Sequence, residues 1–347
     1  MNFMFTFSKE FILNAFSEHK EEQLFGRWIT LNHIQKTFSR YGTSSKIQME
    51  QIGSSEEGRD IFQFSMGSGK KRILIWSQMH GNESTGTKSV FDLLNYVDKV
   101  NHPSVDRILS ECTIKIIPIL NPDGAERYTR VNANNVDLNR DAVDREAKES
   151  RLLRSILEDF NPDFSFNLHD QRTIFGVEGT NNPATISFLA PSEEETRKIT
   201  KGRAQTMNVI IAMNTLLQQL IPNCVGRYTD EFYPKATGDN FQKLGYNTVL
   251  IESGHYPDDY EREESRKYTF ISLLQGIHHI ANTVDFNESE AYFTIPDNQE
   301  NFRDLLHADK KEAFQYEEIL ENGKINFVPR KIKEDISSLL FHKKTFS

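Results

Sequence analysis

Two residues of metal-ligating type stand three positions apart in the segment QMHGNEST, residues 78–85. The pair, His80 and Glu83, closely follows the apolar run RILIW. Imidazole nitrogens and carboxylate oxygens are both common zinc ligands. An H-x-x-E pair alone is weak evidence, because both residue types also occur freely in surface turns. The pair therefore indicates a metal site only if the chain supplies further ligands.

Two more polar residues stand at the ends of apolar runs. His169 ends FSFNLH, and Glu252 comes near the end of TVLIES. In an open α/β sheet, ligands bind outside the carboxyl ends of the strands. Two imidazoles and one carboxylate are a known ligand set for catalytic zinc that leaves the fourth position to water, whereas a structural zinc fills all four positions. The residues favour a catalytic zinc site.

The elements that must position these residues alternate between strand-like and helix-like patterns. The predicted buried strands are RILIWSQ, TIKIIPIL, FSFNLH and TVLIES. The predicted helices are STGTKSVFDLLNYVDKV, SRLLRSILEDF and KITKGRAQTMNVIIAMNTLLQQL. This alternation predicts an α/β fold with helices on both faces of a sheet.

The pattern changes from about residue 285 onward, where the chain becomes more charged. We therefore predict a catalytic domain at 1–285 and a small C-terminal appendage, an extension of unknown role, at 286–347. Within it, residues 300–320 are predicted to form a helix and residues 324–332 a short strand or turn.

Composition excludes several classes of protein. The 347 residues include 41 basic and 50 acidic side chains, a formal net charge of −9, which argues against nucleic acid or an anionic membrane as a partner. Cys112 and Cys224 are too few for a disulfide framework and are predicted to be buried thiols. The N-terminal stretch carries Lys9 and Glu10 and lacks a basic leader, so we expect a cytoplasmic protein.

Six stretches together resemble the zinc carboxypeptidase family, the metallocarboxypeptidases related to the pancreatic enzymes. They are IGSSEEGRDI (52–61), QMHGNESTG (78–86), NPDGAERYTRVNANNVDLNRD (121–141), NLHD (167–170), FYPKATGD (232–239) and VLIES (249–253). They follow the family order over roughly residues 45–285, and their combination is specific. The resemblance implies a mixed twisted sheet flanked by helices on both faces.

The resemblance also implies roles for the strand-end residues. His80, Glu83 and His169 would hold one Zn²⁺ per chain. Glu252 would be the general base, which takes a proton from the zinc-activated water and passes it to the leaving amine.

Further roles follow from the segment TRVNANNVDLNRD. Arg130 matches the arginine that stabilises the oxyanion, with Arg127 as the competing candidate. Asn139 and Arg140 match the pair that binds the terminal carboxylate of the substrate, because a guanidinium can donate two parallel hydrogen bonds to it. The alternative is that Arg140 forms a structural ion pair with a flanking aspartate.

The FYPKATGD segment matches the part of the family that closes over the substrate. Tyr233 aligns with the mobile tyrosine, and Tyr228 is the second candidate. The loop at 237–240 is expected to border the side-chain pocket. Its single acid, Asp239, predicts a preference for leaving residues with a cationic side chain, such as Lys, Arg or diaminopimelate.

The leading hypothesis is a zinc metallocarboxypeptidase that hydrolyses the C-terminal peptide bond of a peptide with a free carboxylate. Two related alternatives stay open: a deacylase of N-acyl amino acids, and a carboxypeptidase or amidase of cell-wall peptides. A catalytically inactive binding module is the alternative from another class. It would be expected to have lost a ligand or the base, and the sequence keeps both.

Overall fold

The computed structural model describes residues 6–345 and contains one large sheet and a smaller C-terminal sheet. In this range the strands are β1 (Ile47–Ser54), β2 (Asp60–Met66), β3 (Lys71–Trp76), β4 (Cys112–Ile117), β5 (Phe164–Asp170), β6 (Phe175–Val177), β7 (Ile186–Leu189), β8 (Val225–Arg227), β9 (Asn247–Ser253), β10 (Asn298–Glu300), β11 (Phe302–His307), β12 (Glu312–Glu321), β13 (Lys324–Lys331) and β14 (Leu340–Thr345). The first five residues of the N-terminal stretch lie outside the described range.

Helices connect most of the strands of the large sheet. In the described range they are α1 (Lys9–His19), α2 (Leu31–Gln35), α3 (Phe38–Tyr41), α4 (Thr85–Lys99), α5 (Pro103–Glu111), α6 (Pro122–Arg127), α7 (Lys148–Phe160), α8 (Lys201–Leu220), α9 (Thr237–Lys243) and α10 (Glu263–Asn282). Short 3₁₀ turns occur at Leu138–Arg140 and Glu290–Thr294.

The large sheet has the strand order β1-β2-β4-β3-β5-β9-β7-β8. Its central strands β4, β3, β5 and β9 run parallel, whereas β1, β2 and β7 add antiparallel pairings. The four central strands are the four predicted as apolar runs. Segments rich in apolar residues form such strands because helices cover both faces of the sheet. The predicted mixed sheet is confirmed.

Alternate residues of β3 enter two separate hydrophobic cores. Ile73 and Ile75 pack in the core that also contains residues of α4, α8 and α10. Leu74 and Trp76 pack in the second core, with residues of α7. All four side chains are fully buried, and each such aliphatic side chain contributes about 1.5–3 kcal/mol to folding. Helices therefore cover both faces, as predicted.

Local signals fix the ends of the predicted helices. Ser84 precedes α4 as the N-cap residue, although its hydroxyl donates to the carbonyl of Arg27 rather than capping the helix. The side chain of Thr200 caps α8 by accepting from the amide of Arg203 at 3.1 Å. Helix α7 ends at Asn161, which has a left-handed φ of 48° and precedes a proline.

The predicted helix at 300–320 is wrong. This segment forms β11 and β12, and β12 pairs antiparallel with β13 from Phe314 to Glu321. Asn322 and Gly323 join the two strands, with φ values of 52° and 74°. An Asn-Gly pair between two strands is the strongest short-range signal for a hairpin. The strand alternative for residues 324–332 is confirmed by β13.

The C-terminal region forms its own four-stranded sheet in the order β13-β12-β11-β14. The preceding strand β10 pairs with β6, which belongs to the earlier part of the chain. A division at 285 therefore stays a prediction.

The two cysteines are both free thiols: Cys112 is buried and Cys224 is partly exposed. No helix in residues 6–345 is long and apolar enough to cross a membrane.

Candidate active site

His80 and Glu83 lie in the loop that joins β3 to α4. Gln78 enters the loop with a φ of 50°, and its Nε2 donates to the carbonyl of Gly81 at 2.8 Å. Gly81 packs so closely on α6 that an added Cβ would lie 1.9 Å from the carbonyl carbon of Gly124. Only glycine allows this approach, so the loop is held tightly against α6.

His169 and Glu252 lie near the carboxyl ends of the adjacent parallel strands β5 and β9, where they pair in register. Adjacent strands are about 4.8 Å apart. Strand β3, which leads into the loop with His80, is the other neighbour of β5. The ends of three neighbouring strands therefore bring these residues together, which is the convergence that the sequence predicts.

The side chains of His80, Glu83 and His169 form a compact triad. The Nδ1 atoms of His80 and His169 are 3.2 Å apart. His80 Nδ1 lies 2.9 Å from Oε1 of Glu83, and His169 Nδ1 lies 2.8 Å from Oε2. Two nitrogens bound to one tetrahedral zinc are about 3.3 Å apart. The donor set and its spacing therefore fit a zinc ion.

The charges of the triad also suit a cation. Burial lowers the pKa of His169, which keeps this imidazole neutral. Burial alone would raise the pKa of Glu83, but His80 and His169 outweigh it and hold that pKa well below its usual value. Burial likewise lowers the pKa of His80, but the Glu83 charge and a hydrogen bond with Asp137 raise it overall. Metal binding would displace this proton.

Asp137 hydrogen-bonds to the outer side of the triad, a role that the sequence did not predict. Its Oδ1 lies 3.0 Å from Nε2 of His80, the ring nitrogen that faces away from the triad. Its Oδ2 accepts from Nε of Arg130 at 2.9 Å. A carboxylate on the outer nitrogen of a metal-binding histidine fixes the orientation of the ring and raises its basicity. Its position directly before Leu138 in the VDLNR segment does not by itself indicate a contact with His80.

Glu252 is half-buried beside the triad. Burial raises its pKa well above the usual value, and the carboxylates of Glu83 and Asp170 add to this effect, whereas Arg130 opposes it. A carboxylate with a raised pKa is a better proton acceptor. A dication at the triad would also oppose the shift.

The structure separates the two candidate arginines. Arg130 reaches the triad, where its Nη1 lies 3.3 Å from Oε1 of Glu83. Arg127 instead forms an exposed ion pair with Glu57. Of these two arginines, only Arg130 contacts the triad.

Asn139 and Arg140 are the last two residues of the 3₁₀ turn, and Arg140 is exposed. It forms no ion pair with any residue of 6–345. The aspartate before the turn binds His80 and Arg130, and Asp141 accepts from the amides of Glu146 and Ala147. Apart from the hydrogen bond that its Nη1 donates to the carbonyl of Asn139 at 2.8 Å, the guanidinium is available to a ligand. Asn139 Oδ1 accepts from the amide of Thr237 at 3.0 Å, which ties the turn to α9.

The two candidate tyrosines differ in their surroundings. Tyr233 is 50% exposed, and its hydroxyl donates to Glu231 at 2.7 Å. Tyr228 is half-buried, and burial together with the charges of Glu252 and Glu83 raises its pKa. Of the two candidates, Tyr228 is thus the one whose pKa is affected by the charges of Glu252 and Glu83, whereas the pKa of Tyr233 is affected by those of Glu231, Arg140 and Asp239.

Asp239 lies in the first turn of α9 and is 5% exposed. Its Oδ1 accepts from the amide of Tyr233 at 3.1 Å. Burial raises its pKa to about 6, although that hydrogen bond and the charge of Arg140 act in the opposite direction. The carboxylate is thus desolvated, charged near pH 7 and close to the arginine that is available to a ligand.

A cavity of about 620 Å³ opens beside the triad. Glu83 and Arg130 line it on one side, and residues of β12 and β13 line it on the other. No role for the C-terminal region is readable from the sequence, because these contacts join residues more than 180 positions apart and leave no local pattern.

Comparison with known proteins points to one family. A family model described as zinc carboxypeptidase matches residues 32–230, which contain the triad and end before Glu252. Carboxypeptidase 2 of Trichophyton tonsurans is 28% identical over 126 residues, which cover 33% of this chain and 23% of that protein. Carboxypeptidase Z of Rattus norvegicus is 30% identical over 123 residues, which cover 29% of this chain and 19% of that protein. The matches therefore span about a fifth of these relatives.

Solved structures share the fold over a larger part of the chain. A metallo-carboxypeptidase from Burkholderia cenocepacia superposes with a TM-score of 0.58 at 19% identity, over 73% of this chain and 69% of that one. Carboxypeptidase A from Helicoverpa armigera superposes with a TM-score of 0.57 at 14% identity, over 79% and 80%. At such identities the likeness concerns the fold alone.

Proposed function

Because the chain belongs to the zinc carboxypeptidase family, we propose that it is a metallopeptidase that hydrolyses the C-terminal peptide bond of peptides. One observation carries the proposal. The triad lies at one end of the sheet, and Glu252 lies at the same end because it pairs with His169 across the neighbouring strands. The comparisons name carboxypeptidases and do not favour a deacylase of N-acyl amino acids. A cytoplasmic location is proposed from the sequence only.

Substrate binding is assigned to Arg140 and Asn139. The guanidinium of Arg140 would donate two charge-assisted hydrogen bonds to the terminal carboxylate of the peptide. This contact places the last peptide bond, rather than an internal one, at the triad. Tyr233 or Tyr228 would close over the bound residue, and Asp239 would lie beside its side chain.

His80, Glu83 and His169 would hold the zinc ion. When bound, zinc supplies a Lewis acid that lowers the pKa of a coordinated water and polarises the scissile carbonyl. Glu252 would take the proton of the attacking water and deliver it to the leaving amine. Arg130 would donate to the carbonyl oxygen as negative charge develops there, which stabilises the transition state more than the ground state.

The proposal predicts strong discrimination between a peptide acid and its amide. Amidation removes the charge that Arg140 binds, and it leaves the guanidinium facing a neutral group. We expect kcat/KM to fall by roughly a thousandfold, the effect of losing a charged pair that the bound substrate shields from water. The measurement compares one peptide in its acid and amide forms.

The matched variant is Arg140→Ala. It should lose most activity toward the acid and most of its discrimination against the amide, whereas Arg127→Ala should retain both. Wild-type protein that cleaves the amide as fast as the acid, or that cuts internal bonds, would refute the exopeptidase function.

Asp239 predicts a pH-dependent preference for basic leaving residues. Its pKa of about 6 means that it is charged above that pH and neutral below it. The ratio of kcat/KM for a peptide ending in Lys to one ending in Phe should therefore fall as the pH drops through 6. We expect a change of about tenfold, equivalent to about 1.4 kcal/mol.

Asp239→Asn is the matched control, because the amide keeps an acceptor for the backbone N–H of Tyr233. Its ratio should be low and independent of pH between 5 and 8. A wild-type ratio near one at every pH would remove Asp239 from the specificity pocket.

A further inference from the structure

The C-terminal sheet forms one wall of the cavity beside the triad. Gln315 and Glu318 of β12 and Arg330 of β13 line this wall, and Glu83 and Arg130 line the side of the reaction centre. A volume of about 620 Å³ lies within the range of sites that enclose small ligands. The space is thus large enough for part of a substrate and is shared by both regions of the chain.

The residues assigned to the substrate carboxylate do not belong to this cavity. Neither Arg140 nor Asn139 is among its described lining residues, whereas Glu83 and Arg130 are. If Arg140 holds the terminal carboxylate, the peptide must leave the triad in another direction. The cavity reaches the triad at Glu83 and also contacts Arg130, so it is suited to the residues before the scissile bond.

The wall is fixed in place by buried polar contacts. Arg27, which is 5% exposed, pairs with Glu318 of β12 at 2.9 Å. The hydroxyl of Tyr260 donates to Asp304 of β11 at 2.9 Å. A wall held by such contacts is preorganised, so little entropy is lost when a ligand becomes ordered against it.

Several buried polar atoms of the lining residues have no hydrogen-bond partner in residues 6–345. They include two donors, Nε of Arg27 and Nε of Arg262, and two acceptors, Oδ1 of Asp170 and Oε1 of Gln315. Buried polar groups are nearly always hydrogen-bonded in native proteins. The lining residues thus carry both donors and acceptors around one cavity, which suits a polar ligand.

The mixture of donors and acceptors defines the chemistry of that ligand. A simple anion would use only the arginines, and a simple cation only the acceptors. An apolar acyl chain would leave all four atoms unpaired. A peptide main chain carries one N–H donor and one C=O acceptor per residue, and so it can satisfy both kinds of atom.

We propose that the C-terminal sheet is a substrate-binding element, whose strands β12 and β13 form the wall of a subsite for the main chain preceding the scissile bond. This proposal rests on the proposed carboxypeptidase function and adds a role for residues 302–345. The subsite gives the protein a preference for peptides over singly acylated amino acids.

Two substrates with the same scissile bond test the proposal. They are N-acetyl-Ala-X and N-acetyl-Gly-Gly-Ala-X, where X is the residue that the wild-type protein removes fastest. Only the longer one extends its main chain into the cavity. We expect its kcat/KM to be about tenfold higher, equivalent to about 1.4 kcal/mol.

Two variants change the hydrogen-bonding groups of the subsite; the second also removes the Nε2 donor of Gln315 that binds Thr173 and Asp304. Arg27→Lys keeps the positive charge facing Glu318 but loses the Nε–H donor, and Gln315→Met keeps the approximate shape without polar atoms. Lys331→Gln is the control, because Lys331 is a neighbour on β13 that pairs with Glu312 and does not line the cavity.

The two subsite variants should lower kcat/KM for the longer substrate by about tenfold and change the shorter one less than twofold, whereas the control should leave both unchanged. Equal losses on both substrates would show that the wall only stabilises the fold and would overturn the proposal. Equal wild-type rates on both substrates would overturn it too. If the wild-type protein cleaves neither peptide, the proposed function fails, and this proposal fails with it.

Discussion

Replacing Glu252 with glutamine is expected to lower kcat by about a hundred- to ten-thousandfold, the range of a lost general base. Glutamine preserves the shape of the side chain but cannot accept the proton of the attacking water. The triad is untouched by this change, so bound zinc should stay at one ion per chain. Turnover of a peptide acid and metal content by inductively coupled plasma analysis provide the two readouts.

Stability separates this effect from misfolding. Glu252 lies close to the carboxylates of Glu83 and Asp170, which raise its pKa, so the neutral glutamine relieves repulsion. The thermal midpoint should therefore be unchanged or higher. Glu312→Gln, the same substitution on the C-terminal sheet, should have wild-type turnover. Near-native turnover of Glu252→Gln would assign the base to another residue.

Replacing His169 with alanine is expected to remove both zinc and activity. The change deletes one of three ligands, and no other described histidine, cysteine or carboxylate joins the cluster. Two ligands cannot hold zinc at the affinity of a three-residue site, so occupancy should fall well below one. Activity should fall in proportion.

His279→Ala is the matched control for this loss. His279 is buried to the same extent, at 3% exposure against 2%, but it lies on α10 and binds Asn208. That variant also removes one buried imidazole from the interior of the protein, but it should keep its zinc. Stoichiometric zinc in His169→Ala would remove His169 from the metal site.

The central sheet and the triad could be predicted because their signals are local. Each central strand is a short segment rich in apolar residues, and His169 and Glu252 stand near the ends of two such segments. Parallel strands align their carboxyl ends, so positions far apart in sequence become neighbours without any further information. The same reasoning predicts that His80 and Glu83 lie at this end of the sheet, because their loop directly follows β3.

The C-terminal region was misjudged for a physical reason. Residues 300–320 carry charged and apolar residues at spacings that suit a helix as well as a strand, and the period alone could not decide. The decisive signal was the turn at Asn322 and Gly323, whose positive φ values favour a hairpin. Giving that turn more weight would have predicted the pairing of β12 with β13.

Contacts between distant segments could not be predicted from local patterns. The pair of Arg27 with Glu318 joins residues 291 positions apart, and neither lies in a recognisable motif. Asp137 was visible in the sequence, but only the structure shows that it faces His80 rather than Arg140. Long-range side-chain geometry of this kind determines the outer part of the site.

Zinc titration of metal-free protein tests the central claim most directly. Metal is removed with a chelator, zinc is added back in steps, and the products from a peptide acid are identified by mass spectrometry. We predict that activity rises linearly, reaches its maximum at one zinc per chain, and releases a single residue from the C-terminus. Activity in the metal-free protein, a maximum at another stoichiometry, or release of internal fragments would contradict it.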